Sequence, residues 1–157
     1  MQIFRVNEDH EISAAFLDNR RLSKQVLELY QIIRVCLAQK DIIDANTRYR
    51  HHPVVKHVYN NGHPYLHDTV KLLKAMDIEH GKRGGKRSAD FQTKLETLYA
   101  IIENPKYSYE FSMEKLPPFY VFGDDKCSTE EAYSKYETLL FTKWAGDKIP
   151  ARCSIKI

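Results

Sequence analysis

The stretch from residue 18 to residue 39, DNRRLSKQVLELYQIIRVCLAQ, decides the fold class. Its apolar residues recur at spacings of four, three, four and four, which is the repeat of one helix face. This pattern predicts a long helix over about residues 20–39 with one buried face, and it leaves the other faces free for chemistry. The residues of the buried face are Leu22, Val26, Leu29, Ile33 and Leu37.

Similar patterns on either side of this helix predict a mainly α protein. Glycine, proline and asparagine separate the periodic stretches, as expected of turns between helices. Ser88 is a residue type that caps helix N-termini, and Asn104 with Pro105 marks a helix end. The predicted elements are a short strand at 3–6, one or two helical turns ending at Asp18, a short helix at 53–60, a helix from Pro64 to about 80 and a helix from Ser88 to Asn104.

The last third of the chain has a different character. Residues 115–127, KLPPFYVFGDDKC, are turn-rich and aromatic, and residues 128–144 have the pattern of a final helix. Ser128 is followed by Glu131 at the spacing of a capping box, which predicts a helix start at Ser128. We therefore expect one domain over 1–157: a bundle of three to five helices with its helical core at 1–103 and a turn-rich extension at 104–157 packed on it.

Length and composition exclude several classes of protein. The chain has 157 residues, of which 43% are hydrophobic and 29% charged, as expected of one globular core. No run approaches the roughly 20 apolar residues of a membrane helix. Three cysteines, Cys36, Cys127 and Cys153, are too few and too widely spaced for a disulfide framework or a paired zinc site. We expect a monomer in the cytoplasm that contacts no membrane and uses no metal or cofactor.

Positive charge is concentrated in one region. Residues 45–89 contain nine Lys and Arg against three acidic residues, and six of the seven histidines. Concentrated positive charge is typical of a surface that binds a polyanion such as DNA. The alternative is an ordinary solvated surface that happens to be basic.

The long helix carries a polar stripe beside its buried face. Arg21, Lys24, Glu28 and Gln31 follow one another at spacings of three, four and three, so a carboxylate lies among cations. The alternative is an ordinary surface ion pair between Lys24 and Glu28. Arg20 and Arg21 occupy the first turn, where the helix dipole disfavours cations, and phosphate binding would explain them.

Two basic loops supply the other candidate DNA contacts. GKRGGKRS, residues 81–88, lacks the spacing of a nucleotide-binding loop, but a glycine-rich basic turn lets backbone and side chains approach DNA closely. The structural alternatives are that the histidines of the first region are buried and that the glycine-rich turn is merely solvated. The functional alternative is a metal-dependent nuclease built on His51, His52, His57 and His63. The candidate contacts are Arg48, Arg50, His51, His52, Lys56 and His63 in the first region and Lys82, Arg83, Lys86 and Arg87 in the second.

Several short strings resemble one enzyme family. The chain opens with MQIF, Asp18 and Leu22 precede Glu28 at matching positions, YRHHP stands at 49–53, and a Gly-His turn at 62–63 opens a helix that ends in Lys-Arg-Gly. Over roughly residues 1–90 the sequence resembles the pyrimidine dimer DNA glycosylases of the phage type.

The resemblance implies an activity and its residues. Family members excise a damaged pyrimidine by attack of the N-terminal α-amine on the sugar, form an imine, depend on one glutamate and can cleave the strand by β-elimination. The resemblance therefore implies Met1 and Glu28 as catalytic residues, because a residue as bulky as Gln2 should prevent removal of Met1. It also implies a partner, double-stranded DNA with a damaged base or an abasic site. Leu27 occupies the position at which family members have a basic residue. The phosphate contact of that basic residue would therefore have to come from Lys24 or Arg21 here. A non-catalytic DNA-binding protein, or a glycosylase for another modified base, is the alternative.

Overall fold

The central element is a helix of 21 residues, α2 (Asn19–Gln39). Asp18 caps it, since its carboxylate accepts a hydrogen bond from the Arg21 backbone N–H at 3.3 Å. The predicted apolar face is buried along its whole length, from Leu22 to Leu37. The prediction for residues 20–39 is confirmed.

The computed structural model describes residues 1–154 and is mainly α, which confirms the predicted fold class. Besides α2, the protein has three other long helices, and three short helices raise the number among the described residues to seven, above the three to five expected. The other elements are α1 (His10–Phe16), α3 (Pro53–Tyr59), a 3₁₀ turn (Asn60–Gly62), α4 (Leu66–Lys82), α5 (Ala89–Glu103), α6 (Pro105–Ser108), β1 (Tyr120–Phe122), β2 (Asp125–Cys127) and α7 (Glu131–Gly146).

The helices pack around α2 and α4. Helix α2 contacts both α3 and α4, and α4 also contacts α1 and α5. Ser88 caps α5 as predicted, with its hydroxyl accepting from the Phe91 N–H at 3.2 Å. Pro64 lies two residues ahead of α4, which begins at Leu66. None of the helices within residues 1–154 combines the length and apolar character that a bilayer crossing requires.

The strand predicted at residues 3–6 is wrong. The Phe4 N–H donates to the Gln25 side-chain oxygen at 2.8 Å, and the Gln25 amide donates back to the Gln2 carbonyl at 2.9 Å. One side chain of α2 therefore takes the backbone hydrogen bonds that a neighbouring strand would make. The N-terminal segment lies along α2 without joining a sheet.

The capping box predicted at Ser128 is also wrong. Helix α7 begins at Glu131 and has Glu130 as its N-cap, with no side-chain hydrogen bond at that cap. Backbone bonds from Ala132 to Thr129 and from Tyr133 to Glu130 close the first turn instead. Ser128 belongs to the turn after a two-stranded antiparallel hairpin, in which Tyr120 pairs with Cys127.

Helix α7 packs against the N-terminal segment. The Tyr136 ring is buried edge-on against Phe4 and Tyr120, with centroid distances of 5.4 Å and 4.7 Å. The Trp144 indole N–H donates to the Asp18 carboxylate at 2.7 Å. The N-terminal segment and α7 thus meet beside the first half of α2, where the candidate site lies.

Candidate active site

Gln25 holds the N-terminal segment on the middle of α2. Its side chain is only 1% exposed, and both of its polar ends are bonded to the backbone of Gln2 and Phe4. A buried amide with both ends satisfied fixes its partners in one register. Met1 is thereby brought to the level of α2 where Glu28 lies.

Glu28 contacts the N-terminal segment directly. One carboxylate oxygen accepts the Gln2 backbone N–H at 3.1 Å, while the Lys24 ammonium is 3.7 Å from the other oxygen. The Glu28 side chain is 16% exposed, whereas that of Lys24 is 74% exposed. Solvent screens the ion pair, so the backbone of Gln2 is the better-defined partner of this carboxylate.

A cavity of about 400 Å³ opens at this point between the N-terminal segment, α2 and α7. Both predicted catalytic residues line it, together with three residues of the predicted basic stripe and first turn. Cations outnumber the single carboxylate, so the cavity favours an anion. Its lining residues are Met1, Gln2, Phe4, Arg20, Arg21, Lys24, Gln25, Glu28 and Lys143.

His52 lies within electrostatic range of the two predicted catalytic groups. It is the N-cap of α3, and its Nδ1 accepts the Val54 N–H at 3.1 Å. Burial lowers the pKa of His52, the positive charge of the Met1 amine lowers it further, and Glu28 opposes the shift. The imidazole therefore favours its neutral form, with the proton on Nε2 because Nδ1 is an acceptor.

A family model for pyrimidine dimer DNA glycosylases matches residues 1–93, more than half of the chain. The chain belongs to the pyrimidine dimer DNA glycosylase family. The matched segment contains Met1, Glu28 and every basic residue predicted to contact DNA, whereas α7 lies outside it. No curated protein and no solved structure matches the chain significantly.

Among the α2 cations of this family member, Arg21 differs from Arg20 and Lys24. Its guanidinium donates to both carboxylate oxygens of Asp147 at 2.7 Å and 3.1 Å, and to Asp18 at 3.3 Å. The hydrogen bonds to Asp147 raise the pKa of Arg21. Arg20 and Lys24 are exposed, so they are better placed than Arg21 to meet phosphates.

The first basic region, residues 48–63, presents most of its candidates to solvent. The Arg48 guanidinium lies over the Tyr49 ring at 5.3 Å, and Arg50 donates to the Thr47 carbonyl and hydroxyl, both at 3.3 Å. The exposed candidates of this region are Arg48, Arg50, His51, Lys56 and His63.

In the second basic loop, residues 81–88, two of the four cations are exposed and the other two bond to other parts of the protein. Lys82 and Lys86 are exposed, whereas the side chains of Arg83 and Arg87 are 11% and 10% exposed. Arg83 donates to backbone carbonyls at the end of α1, and Arg87 donates to the Asp77 carboxylate and the Ser23 carbonyl. Both arginines join elements of the fold.

The histidines considered for a metal site are dispersed. The His57 ring stacks on Phe119 at 4.5 Å, and its Nε2 bonds the Pro117 carbonyl at 3.0 Å. His52 caps α3. In the described part of the chain, no group of three or more His, Cys, Asp or Glu side chains is arranged to hold a metal ion.

Sequence reasoning missed Gln25, Tyr136 and Lys143. Gln25 lies three residues before Glu28 and interrupts an otherwise apolar buried surface, which was the available signal. Tyr136 and Lys143 reach the site from α7, and no spacing in the sequence connects that helix with residues 1 and 28.

Proposed function

We propose that the chain is a pyrimidine dimer DNA glycosylase with abasic-site lyase activity, in which the Met1 α-amine is the nucleophile and Glu28 the essential carboxylate. Membership of the family supports the glycosylase function in general. The observation that carries the finer proposal is the 3.1 Å hydrogen bond from the Gln2 N–H to Glu28, in a cation-lined cavity that Met1 also lines.

The nucleophile suits neutral pH. An α-amine ordinarily has a pKa of about 7.7–8.0 and a lysine about 10.4, so an α-amine is partly unprotonated without special activation. Its nitrogen attacks C1′ of the damaged nucleotide, and the C1′–N bond to the base breaks with its electron pair leaving on the base, which takes up a proton. The sugar ring then opens as the C1′–O4′ bond breaks, and O4′ takes up a proton. Nitrogen loses two protons in all, which balance those gained by the base and by O4′, and the product is the imine. Glu28 stabilises the positive charge that develops on the sugar.

Strand cleavage follows from the imine. A proton leaves C2′, its electron pair forms the C2′=C3′ double bond, and the C3′–O bond breaks with the phosphate as leaving group. Glu28 accepts the C2′ proton as general base. Water then hydrolyses the imine and releases the free amine.

The cations around the cavity hold double-stranded DNA. Arg20, Lys24 and Lys143 bind phosphates at the rim, and the damaged nucleotide is extruded from the duplex so that its C1′ reaches the amine. Because these contacts release counterions, affinity falls steeply with salt. The outer contacts are Arg48, Arg50, His51, Lys56, His63, Lys82 and Lys86.

Incision of a duplex with one pyrimidine dimer tests the proposal. The protein with a native N-terminus is compared with Glu28→Gln and with a protein extended by two residues before Met1. We expect incision by the native protein alone and DNA binding by all three. Binding without incision would instead support the non-catalytic DNA-binding protein. Incision of duplexes with another modified base, but not of the duplex with a dimer, would support the proposed chemistry and refute the pyrimidine dimer as the substrate.

A further inference from the structure

Three hydrogen bonds hold Gln2 in place, two through its backbone and one through its side chain. Its backbone N–H donates to Glu28 at 3.1 Å, its carbonyl accepts from Gln25 at 2.9 Å, and its side-chain oxygen accepts the Tyr136 hydroxyl at 2.6 Å. The first two partners belong to α2 and the third to α7. The residue next to Met1 is thus fixed from two helices.

Tyr136 is suited to hold one position. Its side chain is 1% exposed and packs against Phe4 and Tyr120, so the ring has little freedom to move. Burial raises the pKa of Tyr136, so the hydroxyl stays protonated and donates at any working pH. Helix α7 is itself tied to the start of α2 through Trp144 to Asp18 and Asp147 to Arg21.

The consequence concerns the position of the α-amine. Once Gln2 is fixed, the amine can move only by rotation within Met1 and about the bond that enters Gln2. A reacting group held within a narrow range of positions reacts faster, and a displacement of about 1 Å costs up to about 100-fold in rate. The hydrogen bond from Tyr136 connects α7 to Gln2, the residue that directly follows the nucleophile Met1.

We infer that Tyr136 is a positioning residue for the reaction, which acts through Gln2 to hold the Met1 amine beside Glu28. This inference rests on the proposed function. It gives the C-terminal extension, which lies outside the segment matched by the family model, a part in building the active site. Tyr136 itself touches neither DNA nor the reacting atoms in this account.

Two variants remove the hydrogen bond from opposite ends. Tyr136→Phe deletes the hydroxyl and leaves the ring packing, while Gln2→Met deletes the acceptor and keeps a bulky second residue so that Met1 is retained. Tyr133→Phe is the matched control, because it deletes a hydroxyl from the same helix at a ring that lies against Arg5. Thermal unfolding of each variant shows whether it is folded.

The first measurement is the rate of borohydride-trapped adduct formation at saturating duplex with an abasic site. We expect Tyr136→Phe and Gln2→Met each to slow trapping about tenfold, with unchanged DNA affinity, while Tyr133→Phe keeps the native rate. Since both changes break one contact, the double variant is no slower than either single one. A native rate in Tyr136→Phe, or effects that multiply in the double variant, would overturn the inference.

The second measurement needs no DNA chemistry. An amine-selective acylating reagent labels the free protein, and mass spectrometry follows labelling of the Met1 amine. We expect several-fold faster labelling in both single variants, because a released N-terminus is more accessible, with no further gain in the double variant. Equal rates in all proteins would refute the positioning role. Faster labelling in both variants, with no DNA adduct on the native protein, would refute the proposed function and leave Tyr136 only as a residue that holds the N-terminus in place.

Discussion

Arg83 is predicted to stabilise the fold, although its sequence context indicates a DNA contact. Its guanidinium lies between the end of α1, α4 and residues 152–154, and the side chain is 11% exposed. The Glu79 carboxylate is 3.8 Å away. The acceptors are the carbonyls of Ala14, Ala15, Leu17 and Arg152, the Asn19 side-chain oxygen and the Ser154 hydroxyl, at 2.6–3.1 Å.

The expected cost of Arg83→Ala follows from these contacts. The carbonyls at the end of α1 have no further helical partner, so losing Arg83 leaves those of Ala14 and Leu17 to find water in a partly buried place, while that of Ala15 keeps the Ser154 N–H. The three bonds to α1 are partly buried, and a hydrogen bond to a charged group contributes about 1.5–3 kcal/mol. The loss of two such bonds at about 1.5–2.5 kcal/mol each costs about 3–5 kcal/mol. We expect the free energy of unfolding to fall by about 3–5 kcal/mol, a large share of the roughly 5–15 kcal/mol of a typical domain.

Urea unfolding measures this change, with Lys82→Ala as the matched control. Lys82 is the exposed neighbour of Arg83, and its loss should change stability by no more than about 0.5 kcal/mol. DNA affinity is then measured at a temperature where Arg83→Ala is folded. A stability loss below about 1 kcal/mol together with weakened DNA binding would refute the reasoning and return Arg83 to the DNA-binding surface.

Two further predictions concern His57 and Lys143. Burial lowers the pKa of His57 in the folded protein, so below about pH 6.5 the unfolded chain binds more protons and stability falls as the pH drops. Urea unfolding at pH 7.5 and pH 5.5 should show this loss, and His57→Gln should reduce it; an equal pH dependence in both proteins would contradict the assignment. Lys143→Ala should weaken DNA binding and reduce the slope of log affinity against log salt by about 0.9, with little change in thermal stability. An unchanged slope would show that Lys143 contacts no phosphate.

The sequence predicted the fold well where local rules and packing agree. The apolar repeat of α2 and the Ser88 cap of α5 are both present, because each depends on residues within a few positions of one another. The two wrong elements depend on distant partners. Residues 3–6 form no strand, and Gln25 of α2 instead bonds the Phe4 N–H and the Gln2 carbonyl. Ser128 caps no helix, since α7 begins three residues later at Glu131.

The candidate site could be predicted only in part for the same reason. Glu28 and Lys24 share a stripe that spacing along α2 specifies, and the resemblance to the family adds Met1. The sequence, however, does not show which of two neighbouring cations is buried. Lys82 is exposed, whereas Arg83 donates hydrogen bonds to other parts of the protein. Tyr136 reaches the site only through tertiary packing, which no local pattern encodes.

The most direct test of the central claim identifies the residue that forms the imine. The protein with a native N-terminus is mixed with a duplex carrying an abasic site, borohydride reduces the imine, and peptide mass spectrometry locates the adduct. We predict one adduct on the α-amine of Met1, strongly diminished in Glu28→Gln although that variant still binds DNA. An adduct on a lysine such as Lys24 or Lys143, or no adduct despite salt-sensitive DNA binding, would contradict the account.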